Sequence, residues 1–561
     1  MFYQTMLRAL LIVATVQFSL VQADDWSRFR GPSGNGVATD SDTLPSKWSP
    51  KANLFWKTEL PGPGASSPII VGEKVFITCY SGYGLQQQNP GDIKNLTRHL
   101  VCIDLASGKK VWQRDVKAAL PEDPYSGIGV TAHGYASHTP VSDGESVYAF
   151  FGKSGIHAFD LDGKPLWSAS VGMESDPAKW GSSSSPVIYN DTVIVTASAE
   201  SQSIVGFNKK TGKEIWRQEA KGLDGMWGTP AMVKIDDKRE DLVMCVAREL
   251  WGMNPDTGKL RWYAKATDSA QAYSSVVMDG KRVYAVTGRG GGSVAIDAGG
   301  SGDISSTNTV WEGRDNASFA SPVRHENKLY SVSRGIVTVI DIKTGERLQR
   351  LRLKGVKKTG GRFGSLDYPS PVMVGDRLFY MNGSGQMFVF RTGDELQQIA
   401  VNEVTNEKEI FWGSPAVSNG KMVIRSQKYL YCVADKGEEV AAADSEVEQP
   451  EEASPEQAGE GDRQRGGRRQ FDPMAMFNQM DSNDDGKIAM SELEGNRMAE
   501  RLKTLDKDGD EAISKDEFTT GISTLFRRRG SGGGSGGYGR GGGTDNRPDR
   551  PQRPEFEENG E

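Results

Sequence analysis

Asp481, Asn483, Asp485, the Lys487 carbonyl and Glu492 stand at positions 1, 3, 5, 7 and 12 of one twelve-residue run. Calcium takes six to eight hard oxygens, and this spacing folds three side-chain oxygens, one backbone carbonyl and a bidentate carboxylate about a single point. Gly486 permits the sharp turn at position 6, and Ala489 at position 9 implies a directly bound water. A second run repeats the pattern with Asp506, Asp508, Asp510, the Ala512 carbonyl and Glu517. There Glu511 replaces the turn glycine where a positive φ is required, at a cost of ~1 kcal/mol. Four carboxylates at ligand positions partly offset that cost.

The flanks support the chemistry. Phe477 and Met480 precede the first run and Leu493 follows it; Leu502, Leu505 and Phe518 repeat the arrangement around the second, and Ile488 is placed to pair with the second loop. Two such loops in tandem read as a compact EF-hand pair with short helices, over residues 471–526. Calcium is the expected cofactor. Outside the cytoplasm such modules bind it at ~10⁻⁴–10⁻³ M, so the ion would act as a structural staple.

A second set of residues could bind rather than chelate. Tyr135, Trp180, Trp227, Tyr273, Phe319, Tyr368 and Trp412 each precede an apolar segment that reads as the innermost strand of a repeat. Together with Arg289, His133 and His138, they would form an aromatic mouth. Such a mouth can stack a flat ligand or a sugar, or dock a peptide; the same rings could instead fill the space between repeats. Five histidines without metal spacing argue against zinc. The glycine-rich run at 288–293 lacks the Lys-Ser/Thr of a phosphate-cradling loop.

The elements that would hold this mouth repeat along the chain. A Ser/Thr-Pro-Val phrase and its variants begin units at Pro68, Pro140, Pro186, Pro230, Ser275, Pro322, Pro371 and Pro415, the first unit enlarged by an insertion between Cys79 and Ser137. Most units close with a glycine turn and a tryptophan strand, as in Gly108 to Trp112, Gly163 to Trp167, Gly212 to Trp216 and Gly258 to Trp262, with Trp311 after a longer turn. These glycines and tryptophans are expected to pack one unit against the next. The eighth unit lacks such a strand, and Leu54–Glu59 supplies it from the other end of the chain. An all-β, eight-bladed propeller of four-stranded blades, closed by that strand, is the expected fold.

The Asp-x-x-Thr-Gly-Lys-x-x-Trp phrase and the start Asp25-Trp-Ser-Arg-Phe-Arg-Gly-Pro-Ser-Gly-Asn-Gly36 resemble the pyrroloquinoline-quinone (PQQ)-like propeller repeat of exported bacterial proteins. That resemblance implies the fold over about residues 25–436. It serves both quinone-dependent dehydrogenases and non-catalytic proteins, such as the BamB-like propeller lipoprotein of the outer-membrane assembly machine. The dehydrogenases hold PQQ with calcium and often a disulfide between adjacent cysteines. This chain has no adjacent pair and no recognisable calcium set in the propeller, so PQQ is not favoured. It also lacks the lipid-bearing cysteine of the assembly protein.

Compartment and boundaries complete the reading. Arg8, the apolar run Ala9 to Val21 and the small residue Ala23 read as a signal peptide over 1–23, giving a periplasmic or secreted chain. No later segment is apolar enough to cross a membrane. Net charge is −7, which offers no case for nucleic acid. Cys79, Cys102, Cys245 and Cys432 read as buried thiols, with one bridge, Cys79 to Cys102, left open. Residues 24–436 form the propeller, 437–470 a disordered charged linker, and 527–561 a disordered Gly/Arg/Pro-rich tail. The expected function is a monomeric calcium-binding scaffold in the periplasm or cell envelope, with a protein or glycan partner. The alternatives are a PQQ-dependent oxidoreductase and an outer-membrane protein assembly factor.

Overall fold

The computed structural model describes residues 25–38, 43–126, 133–176, 179–288, 291–317, 319–357, 368–438, 477, 485–493, 502–520 and 551–557. The chain divides into two units, Met1–Glu452 with Asp549–Glu561, and Ala453–Pro548. The signal-peptide residues, most of the charged linker and the metal-ligand candidates Asp481 and Asn483 lie outside the described residues, as does Arg289.

The first unit is an eight-bladed, all-β propeller. Blade 1 runs through Ile69–Val71, Lys74–Ser81, Thr97–Asp104 and Lys110–Lys117, and seven further antiparallel sheets follow. The middle strands are near-continuous apolar runs because each blade is covered on both faces by its neighbours, as in the fully buried segment Val75 to Tyr80. Blade 8 takes Ala416–Ser418, Lys421–Arg425 and Tyr429–Ala434 from one end of the propeller and Leu54–Glu59 from the other. Leu54 pairs with Val433 and Glu59 with Tyr429, so the closing strand stands where the repeat places it.

One clasp joins the blades. In five neighbouring pairs, the tryptophan of an outer strand covers the turn glycine of the next blade. A Cβ added at Gly108, Gly163, Gly212, Gly258 or Gly345 would lie 2.4–2.7 Å from Trp56, Trp112, Trp167, Trp216 or Trp311 respectively. The same glycines have φ of +71° to +83°, so both space and backbone require glycine there. Each indole Nε1 then donates to a carbonyl near the same turn, as Trp56 does to Leu105 at 2.8 Å and Trp112 to Leu161 at 3.0 Å. A β-bulge at the start of every outer strand turns these residues toward the neighbour.

The segment from Trp26 to Ala38 crosses the propeller. Trp26 bridges to Ile70 in blade 1, and Ser27 accepts from the Ser142 N–H in blade 2. Arg28 donates to Pro230 O, Arg30 to Pro322 O, and Asn35 pairs with Met278. Val37–Ala38 then adds a parallel strand beside Met373 and Val374 in blade 7. The Arg-Phe-Arg-Gly phrase of the sequence is therefore a plug. Its arginines donate to carbonyls, and burial lowers Arg28 to about 10 and Arg30 to about 9.

The structure closes the reading left open for the cysteines and corrects one expectation for the tail. All four cysteines are buried thiols. Cys79 lies opposite His99 and Cys102 opposite Phe76, so the two are offset by three residues and packed into different cores; the Cys79–Cys102 bridge does not form. The tail, expected to be disordered over 527–561, docks on blade 4 through residues 551–557. Leu260 N donates to Glu555 O at 2.7 Å, and Glu557 N donates back to Leu260 O at 2.8 Å. Arg553 pairs with Glu249 at 2.5 Å and lies 3.3 Å from the Tyr263 ring centre, while Glu557 meets Arg261 at 2.8 Å. Alternating charge matched to the blade surface gives this stretch partners that the glycine-rich composition conceals.

In the second unit, Lys487–Ala489 pairs antiparallel with Ala512–Ser514, placing Ile488 opposite Ile513. Phe477, Ile488, Leu493, Leu502, Leu505, Ile513 and Phe518 form its core. Among the described residues, no helix in the chain is long and apolar enough to cross a membrane.

Candidate functional site

The inner strands all run the same way along the axis, so position in the repeat translates into depth. The residue before each Pro-Val phrase forms a closed ring. Ser67, Thr139, Ser185, Thr229, Ser275, Ser321, Ser370 and Ser414 each donate a backbone N–H to the hydroxyl of the next, and Ser414 returns to Ser67, at 2.9–3.0 Å throughout. Each hydroxyl thus accepts one bond and keeps its own proton for another partner. The recurring Ser/Thr of the phrase, not only its proline, therefore links each inner strand to the next.

Two residues earlier in each repeat stands the wall of a cup: Trp227, Tyr273, Phe319, Tyr368 and Trp412, with Ala65, Ser137 and Ser183 in the other three blades. Trp180 extends the aromatic arc from outside that register. The rings pack edge to edge or stacked at 4.7–5.9 Å between centres, from Trp180 round to Trp412. Trp227 and Tyr273 are nearly parallel at 12°, and Trp227 Nε1 donates to Gly181 O at 2.9 Å. The buried Trp412 Nε1 has no hydrogen-bond partner among the described residues. Phe29 of the plug also lines the cup, whose volume is about 170 Å³. Among the described lining residues there is no carboxylate, lysine or arginine, and His133 is the titratable group other than Tyr273 and Tyr368.

Tyr135 is the expected mouth residue that does not join this arc. It is buried among Tyr80, Tyr83 and Tyr125, with its hydroxyl donating to Asp123 O at 2.8 Å. It stands four residues before Thr139 rather than two, and the register position belongs to Ser137. The three small residues leave a gap in the aromatic wall on blades 1 to 3.

Behind that gap is a chamber of about 40 Å³ which sequence reasoning missed. It shares His133, Ser137 and Trp180 with the cup. His133 Nε2 donates to Trp180 O at 2.6 Å, and burial lowers the pKa of the ring, which favours the neutral form whose Nδ1 accepts from Ser137 at 2.5 Å. Deeper in, the Ser182 hydroxyl donates to Glu200 Oε1 at 2.6 Å, and its oxygen lies 3.0 Å from His138 Nε2. Burial pushes the Glu200 carboxyl up to about 7 against the Ser182 hydrogen bond, and burial pushes His138 down to about 3. Arg98 pairs with Glu122 at 2.5 Å and Lys153 with Asp123 at 3.1 Å along the same walls. The residues come from six separated segments, and no local spacing marks them.

The Glu200 shift has a stability consequence. Its folded value, about 7, exceeds the ordinary 4.5, so its contribution is fully present below 4.5 and is lost as pH rises through 7. Glu200→Gln should therefore be near neutral at pH 4.5 and stabilise the propeller at pH 8, on the order of 3 kcal/mol. Urea denaturation at the two pH values reads this directly; equal effects at both would show that the carboxyl is not held neutral by burial.

In the second unit, carboxylate oxygens of Asp506, Asp508 and Asp510 lie within 4.8 Å of one another. Glu511 adopts φ +63° and Gly486 φ +86°, the left-handed turn expected at position 6 of each loop. Glu517 accepts from Lys507 N and Ser514 N at 2.9 Å, and Glu492 accepts from Ala489 N at 2.9 Å. The Lys487 ammonium meets Asp510 at 2.6 Å, and Ala512 N donates to Asp510 at 3.0 Å. Asp485 Oδ1 accepts from Lys487 N at 2.9 Å.

Residues 96–351 match the family described as outer membrane protein assembly factor BamB. No curated protein matches the chain. Among solved structures, BamB from Moraxella catarrhalis is 14% identical, covering 71% of this chain and 99% of that one, with a TM-score of 0.43. A europium-containing methanol dehydrogenase is 10% identical over 72% of this chain and 89% of its own, at 0.48. The quinohemoprotein alcohol dehydrogenase ADHIIG from Pseudomonas putida HK5 is 10% identical over 77% and 82%, at 0.44.

Proposed function

We propose that this chain is an exported binding and scaffold protein of the periplasm or cell envelope, whose propeller takes a neutral sugar ring into the axial cup. The observation that carries this reading is the cup itself: an aromatic arc above a ring of eight hydroxyls, with no charged side chain among the described lining residues. Aromatic faces stack on the C–H faces of a sugar, while hydroxyl and indole protons meet its oxygens. At about 170 Å³ the cup is small beside pockets of ~300–1,000 Å³ for drug-sized ligands, which suits one ring rather than a long chain.

PQQ with calcium does not fit this lining. The quinone carries three carboxylates and asks for cations, whereas calcium asks for six to eight hard oxygens with carboxylates among them. The described residues supply neutral hydroxyls already engaged as acceptors. The family match over 96–351 favours a second reading, an assembly factor that docks proteins on the propeller. Recovery of outer-membrane proteins by crosslinking would support it.

The second unit is proposed as an EF-hand pair that binds calcium as a staple. Its converging carboxylates, left-handed Glu511 and paired Ile488 and Ile513 support that reading. Asp481, Asn483, Asp485, Lys487 and Glu492 would hold one ion, and Asp506, Asp508, Asp510, Ala512 and Glu517 the other.

Tryptophan fluorescence tests the cup, because Trp180, Trp227 and Trp412 stand in its wall. Neutral disaccharides should change the emission saturably, and Trp227→Ala should weaken binding tenfold or more, about 1.4 kcal/mol. Unchanged affinity in Trp227→Ala would move the ligand elsewhere.

A further inference from the structure

The chamber behind the wall gap contains more chemistry than a filled core needs. Glu200 is 3% exposed, and while Oε1 accepts from Ser182, Oε2 is buried with no partner among the described residues. A buried polar atom left unpartnered is costly, and a ligand group that reaches it removes that cost. The chamber meets the cup along Trp180, His133 and Ser137, so a substituent on a ring held in the cup faces it directly.

Several constraints narrow the group. It must be small, because the chamber holds about 40 Å³. It must be neutral, because the charges facing Glu200 are already paired: Arg98 with Glu122 and Lys153 with Asp123, while burial depresses His133 and His138. It should offer an oxygen acceptor. In the Nε2–H tautomer of His138, that nitrogen donates to Ser182 and Ser182 O–H donates to Glu200 Oε1, which puts the proton of the neutral carboxyl on Oε2. Finally, it gains from an apolar side, since the rings of Tyr135 and Trp180 line the space.

We propose that the chamber is a second subsite of the cup, which takes the acetamido group of an N-acetylated sugar, with Glu200 Oε2–H donating to the acetamido carbonyl. This rests on the reading of the cup as a sugar site. Because burial holds Glu200 near 7, the donor is present in acid and lost as pH rises, and binding should follow.

The test is calorimetric titration of the full chain with N,N′-diacetylchitobiose and with cellobiose, which has hydroxyls in place of the acetamido groups. Wild type should prefer the acetylated sugar at pH 5.5 and lose about tenfold of that affinity by pH 8.5. Glu200→Gln should bind it equally at both pH values, because an amide N–H donates as the protonated acid does. Cellobiose should bind more weakly, without pH dependence, and be indifferent to Glu200→Gln. Equal binding of the two sugars by wild type, both weakened by Trp227→Ala, would overturn the subsite and leave the cup standing. A pH dependence that survives in Glu200→Gln would also overturn it. No binding of either sugar by wild type would overturn the cup reading and the subsite with it. A thermal melt of Glu200→Gln at pH 5.5 confirms that the variant is folded.

Discussion

Trp56→Ala should lower the unfolding free energy of the propeller by about 4 kcal/mol, in the range for deleting a large aromatic from a core. Trp56 belongs to the strand that completes blade 8 from the other end of the chain. Its ring covers the Gly108 turn of blade 1, and its Nε1 donates to Leu105 O at 2.8 Å. Truncation therefore leaves a cavity, an unsatisfied carbonyl and a weakened junction at the one place where the ring of blades is closed non-covalently. On the outer strand of blade 6 the tryptophan register is held by Gln349, and Leu348 stands half exposed at the bulge beside it, without a clasp. Leu348→Ala should cost under 1 kcal/mol. Urea denaturation compares the two; equal effects would mean that the Leu54–Glu59 strand does not carry the closure.

The second large effect concerns calcium. Full-length protein should bind two calcium ions, and Glu517→Gln should reduce the stoichiometry to one in the millimolar range. A bidentate carboxylate closes the loop, and the amide at position 12 removes the charge and one of the two chelating oxygens. The first loop retains Glu492, so the remaining ion should report an affinity unlike that of the lost one. Glu517 also accepts backbone N–H bonds from Lys507 and Ser514, which hold its carboxyl down at about 2, so the site stays charged well into acid. Calorimetry with calcium reads the stoichiometry. Two ions still bound by Glu517→Gln would contradict the ligand assignment.

How much was legible depended on whether the signal was periodic. The glycine turns and tryptophans repeat because every blade must be clasped to the next, and they marked both blade number and closing strand. The left-handed Glu511 was equally legible, since the loop's spacing dictates its backbone wherever the side chain points. Register was harder. Tyr135 and Trp180 were grouped with the arc by residue type, but the axis is read two residues before the Ser/Thr ring, and there stand Ser137 and Ser183. The small residues made the gap, and the gap opens the chamber. His138, Ser182 and Glu200 meet only through the packing of blades 2 and 3, so no sequence window contains them. The docked tail escaped for a related reason: Arg553, Glu555 and Glu557 find Glu249, Lys259 and Arg261 only after blade 4 has formed.

The central claim is a cup for a neutral ring. Its most direct test is a tryptophan fluorescence titration of wild-type protein in two arms, one with neutral disaccharides and one with PQQ plus calcium. The account predicts a saturable change in the sugar arm that Trp227→Ala weakens at least tenfold, and no saturable change in the quinone arm. Saturable quinone binding with silent sugars would contradict it.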